Sequence, residues 1–403
     1  LQGKVTVYRD HYGIPHILAY KSDADAYYAL GYVHAQDRLW QMIFQKHVAR
    51  GTLSELFGEK TLKQDEYLRT WGFYRAAQSA WKSLDPKTKA MISAYTAGVN
   101  AYIRQKNYSL QFSLIHYQPK PWTNIDSIAW QKLLAWDLQN TWKEKIKNYI
   151  LLKKYDLYGV NYFRPPYPQN APTILSSADL KQSGLTLKRF AAQKPVTDLL
   201  VDLNDLRDQV AFSNKIQKEL GFTGAPGKGS NNWVVSGKLT KSGKPLLAND
   251  PHLNLQAPAL WYLAEIKAPG LHVYGATIPG LPGVILGHND HIAWAVTNGD
   301  PDTQELYILP SHAKLTVLHE KIYVKDGDTV DFPVYISKYG PVISGVDSHA
   351  KTLGLKLAIK WTALLPGDTT MRAFQLLSYA KNWKDFVTAM QYFVVPTQNF
   401  LYA

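Results

Sequence analysis

The chain has 403 residues, 46% hydrophobic and 19% charged, values of a globular protein that exclude a disordered polyelectrolyte. It has no cysteine, which excludes disulfides, thiolate catalysis and cysteine–zinc sites. The formal net charge of +13 is spread over scattered lysines with short clusters at Lys143–Lys147 and Lys153–Lys154, and no nucleic-acid-binding signature accompanies them.

No nucleic-acid partner is therefore expected, while attraction to an anionic membrane surface stays open on charge alone. No apolar run approaches the ~18 residues of a spanning helix. The chain starts at Leu1 rather than methionine, so the absence of a leader in the sequence says nothing about export.

Residues 4–20 read as strands around a turn at Gly13-Ile14-Pro15. Ser22-Asp23-Ala24-Asp25 has the residue types of a helix start, and Ala26, Ala29, Leu30, Val33, His34, Asp37 and Leu39 follow at helical spacing to about Ala49. A second helix is predicted over 76–84. A third follows Asp85-Pro86, with Ile92, Tyr95, Val99 and Tyr102 mostly on one face. A fourth covers 126–154 with a bend near Asn140, and the Pro- and Tyr-rich residues 155–180 read as loop. Residues 196–221 predict a charged amphipathic helix through Leu199, Leu203, Leu206, Val210, Ile216 and Leu220.

After a Gly/Pro stretch from Gly224 to Gly229 the character changes. Short apolar runs at 234–235, 245–248, 261–266, 272–277, 283–287 and 292–296 alternate with turns, a spacing that favours stacked sheets. Residues 305–362 add strands and 370–392 return to helix. Pro396–Ala403 reads as a strand interrupted within a domain, so the chain is expected to be a truncated product.

Ser230 stands at this change of character. If it becomes an N-terminus by cleavage of the Gly229–Ser230 bond, it carries a hydroxyl nucleophile and an α-amine base on one residue. An α-amine has a reference pKa of about 7.7–8.0, so much of it is neutral near neutral pH. Glycine at 229 presents no Cβ to crowd attack on its carbonyl. On its own, Gly-Ser-Asn before a strand is also ordinary turn chemistry.

The order and spacing of Ser230-Asn231-Asn232-Trp233, Asn249-Asp250-Pro251-His252, Pro279-Gly280-Leu281-Pro282-Gly283, Gly287-His288-Asn289, Ala293-Trp294 and Thr297-Asn298 resemble the penicillin acylase family of N-terminal nucleophile hydrolases. That family includes acyl-homoserine-lactone and cephalosporin acylases. Asp10–Ile17, Gly31–Trp40 and Arg50–Glu55 are similar to the start of its small subunit. The resemblance implies an α+β fold, a four-layer αββα sandwich with a helical small-subunit portion. It implies a small subunit at 1–180, a spacer region at 181–229 and the first part of a large subunit at 230–403. It also implies a small-molecule acyl-amide substrate, self-association of the two processed subunits and a periplasmic or secreted location.

Residue by residue, the resemblance makes Ser230 the nucleophile, His252 a supporting residue beside it and the Asn298 N–H an oxyanion donor. The alternative for His252 is a structural loop histidine. A second oxyanion donor and an arginine belong to a later part of the family's large subunit. The implied acyl pocket is Leu134, Leu138, Leu253, Leu286 and Val296. All five are aliphatic, so the pocket is expected to lack aromatic walls and to prefer an aliphatic acyl chain.

No organic cofactor is expected. Asp302, Gln304 (through its carbonyl) and Glu305 match a calcium position of some family members. Counting from Leu134-Ala135 brings Glu144 to it, and counting back from Leu151-Leu152 brings Lys145, which would argue against the ion. Two competing readings are an N-acyl-homoserine-lactone acylase and an unprocessed, non-catalytic homologue that binds acylated ligands. The 26 tyrosines and 12 tryptophans suit a ligand-binding surface as well as a core. No G-x-S-x-G elbow supports a separate serine triad.

Overall fold

The computed structural model describes residues 1–165, 168, 170–171, 176–182, 201–222, 229–299, 301–346 and 355–403. Helix α1 (Asp23–Arg50) begins where the Ser22 side chain accepts from Asp25 N and ends at Gly51, which takes the left-handed conformation at φ 64°. Helices α2 (Ser54–Phe57), α3 (Leu62–Trp71) and α4 (Phe73–Ser83) follow. Helix α5 (Pro86–Ile103) is capped by Asp85, whose carboxylate accepts from Lys87 N and Thr88 N, with proline in the first turn. Helices α1 and α5 pack backbone to backbone. A Cβ on Gly31 would lie 2.1 Å from Tyr95 O, and one on Gly98 would lie 1.8 Å from Tyr28 O.

After the short α6 (Leu110–Leu114), the expected fourth helix is two: α7 (Asn124–Leu138) and α8 (Thr141–Phe163). The break is stabilised by Gln304. Its Oε1 accepts from Trp142 N and Thr141 Oγ1, and its Nε2 donates to Gln139 O. Helix α8 runs beyond the predicted end into the expected loop, and α9 (Ser177–Gln182) also falls there. Helix α10 is Leu203–Glu219; Leu199 and the Gly224–Lys228 stretch lie outside the described residues.

The strands are β1 (Val5–Arg9), β2 (Pro15–Ala19), β3 (Gly229–Val235), β4 (Leu246–His252), β5 (Tyr262–Ala268), β6 (Leu271–Thr277), β7 (Leu286–Asn289), β8 (Ala293–Asn298) and β9 (Gln304–Ile308). Then come β10 (Thr316–Ile322), β11 (Val330–Ser337), β12 (Gly340–Pro341), β13 (Leu357–Trp361), helices α11 (Thr370–Tyr379) and α12 (Trp383–Met390), and β14 (Gln398–Tyr402). One seven-stranded sheet has the order β1-β2-β5-β6-β7-β8-β14, with β2 parallel to β5 and the other pairs antiparallel. Segments from either side of Ser230 thus share one sheet. Strands β3 and β4 form a separate hairpin, and Trp233, Val234 and Leu246 on it are exposed. The arrangement is mixed helix and sheet, consistent with α+β. Among the described residues no helix is long and apolar enough to cross a membrane.

Seven of the twelve tryptophans are less than 2% exposed, so most of the indoles belong to the core. Trp71, Trp136, Trp142, Trp361 and Phe73 cluster there, with Trp71 and Trp361 edge to face at 5.9 Å.

Polar links join the helices to the sheet. Buried His34 of α1 bonds Tyr95 Oη of α5 and Thr277 Oγ1 of β6, each at 2.8 Å. Burial pushes its pKa down to about 3, so it is neutral. Buried Lys132 pairs with buried Asp368, which also accepts from Thr370 N and Oγ1. Removing one partner leaves the other charge uncompensated. Asp368→Ala is expected to cost about 3–5 kcal/mol in urea unfolding, and Lys132→Met with Asp368→Leu to recover most of it.

Along β2, β5 and β6, Glu265 takes His16 on one oxygen and His272 on the other, while His16 also faces Asp10 and His272 faces Asp290. The hydrogen bond to Glu265 raises the His16 pKa against the opposing effect of burial. This stabilisation is complete below the unfolded histidine value, about 6.5, and is lost as pH rises through the raised folded value. Melting temperatures of wild type and His16→Gln are therefore expected to differ most at mildly acidic pH and to converge above it.

Candidate active site

The hairpin β3–β4 sets Ser230 in register opposite Pro251, and Gly229 opposite His252. The Ser230 hydroxyl donates to Gly229 O at 2.6 Å, so it rests on the carbonyl of its own preceding peptide bond. His252 lies beside that bond. Its Nδ1 is 3.8 Å from where a Cβ on Gly229 would stand, and its Nε2 is 2.7 Å from Asp250 Oδ2. The Asp250 carboxylate as partner of the imidazole was within reach of the sequence, since both belong to Asn249-Asp250-Pro251-His252. In a strand, residues i and i+2 share a face.

Asn249 joins this hairpin to the sheet. Its Oδ1 accepts from Val296 N at 3.1 Å, and its Nδ2 donates to Val296 O and Asn231 O. One side-chain amide thus completes a strand-like bridge between β4 and β8. On the other edge of β8, Ala293 exchanges both backbone bonds with Ala403, and Gly299 N donates to Thr397 O. Antiparallel pairing alternates, so Val296 and Asn298 direct their N–H groups away from β14, towards the edge where Asn249 and the hairpin sit. The Asn298 side chain is held by Leu138 O and Gln398 Nε2.

Beside Ser230 lies a cavity of about 320 Å³. Leu134, Leu138, Leu253, Val296, Asn298 and Ser230 all line it, so five of the sequence-selected positions converge with the serine on one space. Leu286 does not line it; Ile285 does, because Leu286 is buried in the pairing of β7 with β6. The expectation of no aromatic walls is also corrected. Trp40, Phe44, Trp130, Phe222, Trp261, Phe374 and Phe393 contribute to the lining. They come from α1, α7, the stretch after α10, the stretch before β5, α11 and the stretch after α12, and of these only Trp40 lies within one of the motifs. Leu220 and Phe222 reach the cavity from the region matched to a spacer, and α10 is itself anchored by Tyr67 to Ser213 and by Lys143 to Asn214 and Gln217. Burial against these neutral acceptors lowers the Lys143 pKa to about 7.

The residues matched to calcium meet differently from the count that selected Glu144. Lys145 Nζ lies 2.6 Å from Asp302 Oδ2 and 2.9 Å from Glu305 Oε1, whereas Glu144 turns to Lys147 and Arg164. The Gln304 side chain is engaged at the α8 N-terminus.

Other motif residues serve local structure. Asn289 Oδ1 accepts from His291 N and Ile292 N, while its Nδ2 reaches Leu377 O, Ser378 O and Ala380 O. Trp294 Nε1 donates to Ile285 O, and Trp130 Nε1 to Pro279 O.

Fold and site together describe a mixed α+β protein with a serine at the edge of an apolar cavity. Residues 4–403 match the penicillin amidase family, and the chain belongs to that family. It is 31% identical over 95% of its length to an acyl-homoserine lactone acylase QuiP of Pseudomonas fluorescens (strain Pf0-1), covering 46% of that protein. It is 28% identical over 95% of its length to a penicillin acylase 2 proenzyme of Pseudomonas sp. (strain SE83), covering 50% of it. The chain spans about half the length of the curated relatives it matches. A solved thermostable penicillin G acylase from Alcaligenes faecalis aligns with 43% of this chain and 33% of its own, at 22% identity and a TM-score of 0.39.

Asn249→Ala removes the amide bridge and leaves Val296 N and O without it. A loss of about 1–2 kcal/mol in chemical unfolding is expected, with hydrogen exchange accelerated at Val296 before the rest of the sheet.

Proposed function

We propose that this protein is an amide hydrolase that releases an apolar acyl group from a small N-acyl substrate after cleaving itself between Gly229 and Ser230. The observation that carries the reading is the apolar cavity opening on Ser230, in a chain of the penicillin amidase family. In maturation, Ser230 Oγ attacks the Gly229 carbonyl carbon, the C–N bond breaks and the nitrogen takes the hydroxyl proton. Water then opens the ester to a Gly229 carboxylate and a free Ser230. His252, held by Asp250, stands beside that bond and orients the reacting groups. In turnover, the Ser230 α-amine accepts the hydroxyl proton through water. The Asn298 N–H then helps carry the oxyanion, the amine leaves, and water releases the acid.

The fuller family picture belongs to the same reading: a four-layer αββα sandwich, subunits from 1–180 and from Ser230 onward that stay associated, a spacer within 181–229, and a periplasmic or secreted location. For the acyl group, Leu134, Leu138, Leu253 and Val296 with Ile278, Leu281 and Ile285 support an aliphatic chain. The aromatic walls also suit a flat group, which makes acyl profiling decisive. An acyl-homoserine lactone is the second reading, favoured by the QuiP relatives.

Mass spectrometry of the full-length protein is expected to show a new terminus beginning Ser-Asn-Asn-Trp, absent from Ser230→Ala. A wild-type chain that remains uncut would overturn the mechanism and favour an acyl-ligand-binding homologue. In a matched amide series, alkanoyl substrates are expected to exceed phenylacetyl in kcat/KM; the reverse order overturns the aliphatic assignment. Comparing homoserine-lactone with β-lactam amines separates the two leaving groups.

A further inference from the structure

The resemblance implies a structural calcium where α8 meets β9, and the residues here do not fit it. Calcium takes six to eight oxygens, several of them carboxylate. At this seam Asp302 and Glu305 already converge on an ammonium, Lys145 Nζ. The carboxylate next to it, Glu144, is turned away and paired with two other cations, Lys147 and Arg164. The Gln304 side chain, between the two acids, is bound at the start of α8, which leaves this residue only its carbonyl, a neutral donor, to offer an ion. Among the described residues no group of three or more His, Cys, Asp or Glu is placed to hold a metal ion.

We propose that Lys145 is a built-in cation that replaces the metal at this seam, so that α8 and β9 are joined without calcium. Two carboxylates three residues apart repel each other unless a positive charge lies between them, and either a metal or an ammonium meets that need. The lysine meets it from another element. Lys145 belongs to α8, before Ser230, and its two partners flank Gln304, after it. The Lys145 side chain is 28% exposed and each carboxylate 55%, so the bridge is wet at its outer side and anchored at its inner side. A divalent ion at the same point would stand against this fixed positive charge.

The proposal is independent of the hydrolase reading and is tested by melting temperature rather than turnover. Full-length wild type, Lys145→Met and Lys145→Glu are stripped with EGTA and melted with and without calcium chloride, with magnesium chloride as control. Wild type is expected to melt at the same temperature in all three. Lys145→Met is expected to melt about 1–2 °C lower in EGTA, the size of effect an exposed ion pair supports. Lys145→Glu places a third carboxylate at the seam. It is expected to melt lowest in EGTA and to rise with the logarithm of calcium concentration, as a ligand that binds only the folded state requires. A wild type that loses stability in EGTA and regains it with calcium overturns the proposal. So does a Lys145→Met that melts like wild type, or a Lys145→Glu indifferent to calcium.

Discussion

The buried imidazole of His34 is the interaction on which the placement of the other elements depends. The Gly280 N–H donates to Tyr95 Oη, and the Thr277 hydroxyl donates to Tyr262 O. With those protons assigned, the Tyr95 hydroxyl donates to His34 Nδ1 and the His34 Nε2–H donates to Thr277 Oγ1. One neutral tautomer therefore satisfies a line of donors and acceptors from the 279–283 turn through α5 and α1 to β6 and β5. Protonating the ring would place a second proton against a hydroxyl already committed as donor, in a fully buried site. Burial, with the nearby Arg38 charge, depresses its pKa, and the hydrogen-bond line agrees with the neutral ring. The line also requires α1 and α5 to approach as closely as Gly31 and Gly98 allow, since a side chain at either would meet the other helix's backbone. The turn fixed by Gly280 then packs on Trp130, a wall of the cavity. Core geometry and cavity shape are thus one constraint.

The side of the molecule that carries Ser230 is held by different means. The hairpin β3–β4 does not join the ladder of the main sheet; the side chain of Asn249 substitutes for backbone pairing with β8. A single amide gives both a donor and an acceptor at the spacing of a peptide group, which an aspartate at the same position would not. The arrangement keeps the strand that carries Ser230 close to the strand that carries Asn298. Ser230 and Asn298 both line the same cavity.

Much of the helical part was legible because its signals are local. Ser22 and Asp85-Pro86 cap helices through their own side chains, and each acts within a few residues. The motifs around Ser230 also selected residues that the fold brings together: His252 stands opposite Gly229 in the hairpin, and four of the five expected pocket positions line one cavity with the serine. The losses have separate causes. Helix α3 was missed because its buried face includes Asp65 and Glu66. Asp65 is there to accept from Leu53 N and Ser54 N, a long-range need invisible to hydrophobic periodicity. The choice between Glu144 and Lys145 failed when counted from Leu134, since that count crosses the α7–α8 break, where the helical phase restarts. Counted within α8 it gives Lys145. Leu286 and Ile285 differ by one residue, and in a strand one residue is the difference between two faces. The aromatic walls were hidden because each comes from an element whose approach to the cavity is set by packing.

The seam between the segments before and after Ser230 is maintained by interactions that do not require the chain to be continuous. Strand β2 lies parallel to β5, His34 binds Thr277, Lys132 pairs with Asp368, and Lys145 bridges Asp302 and Glu305. Each joins a residue before position 229 to one after it, and together they span the sheet, the core and the outer edge of α8. A peptide bond cut at 229–230 would release the local hairpin end while these links remain, because none runs through that bond. The most buried of them, His34 and the Lys132–Asp368 pair, are also the costliest to separate. Burial therefore gives this fold what covalent continuity gives others. A break beside the serine can alter chemistry at the hairpin while leaving the cavity walls where the core sets them.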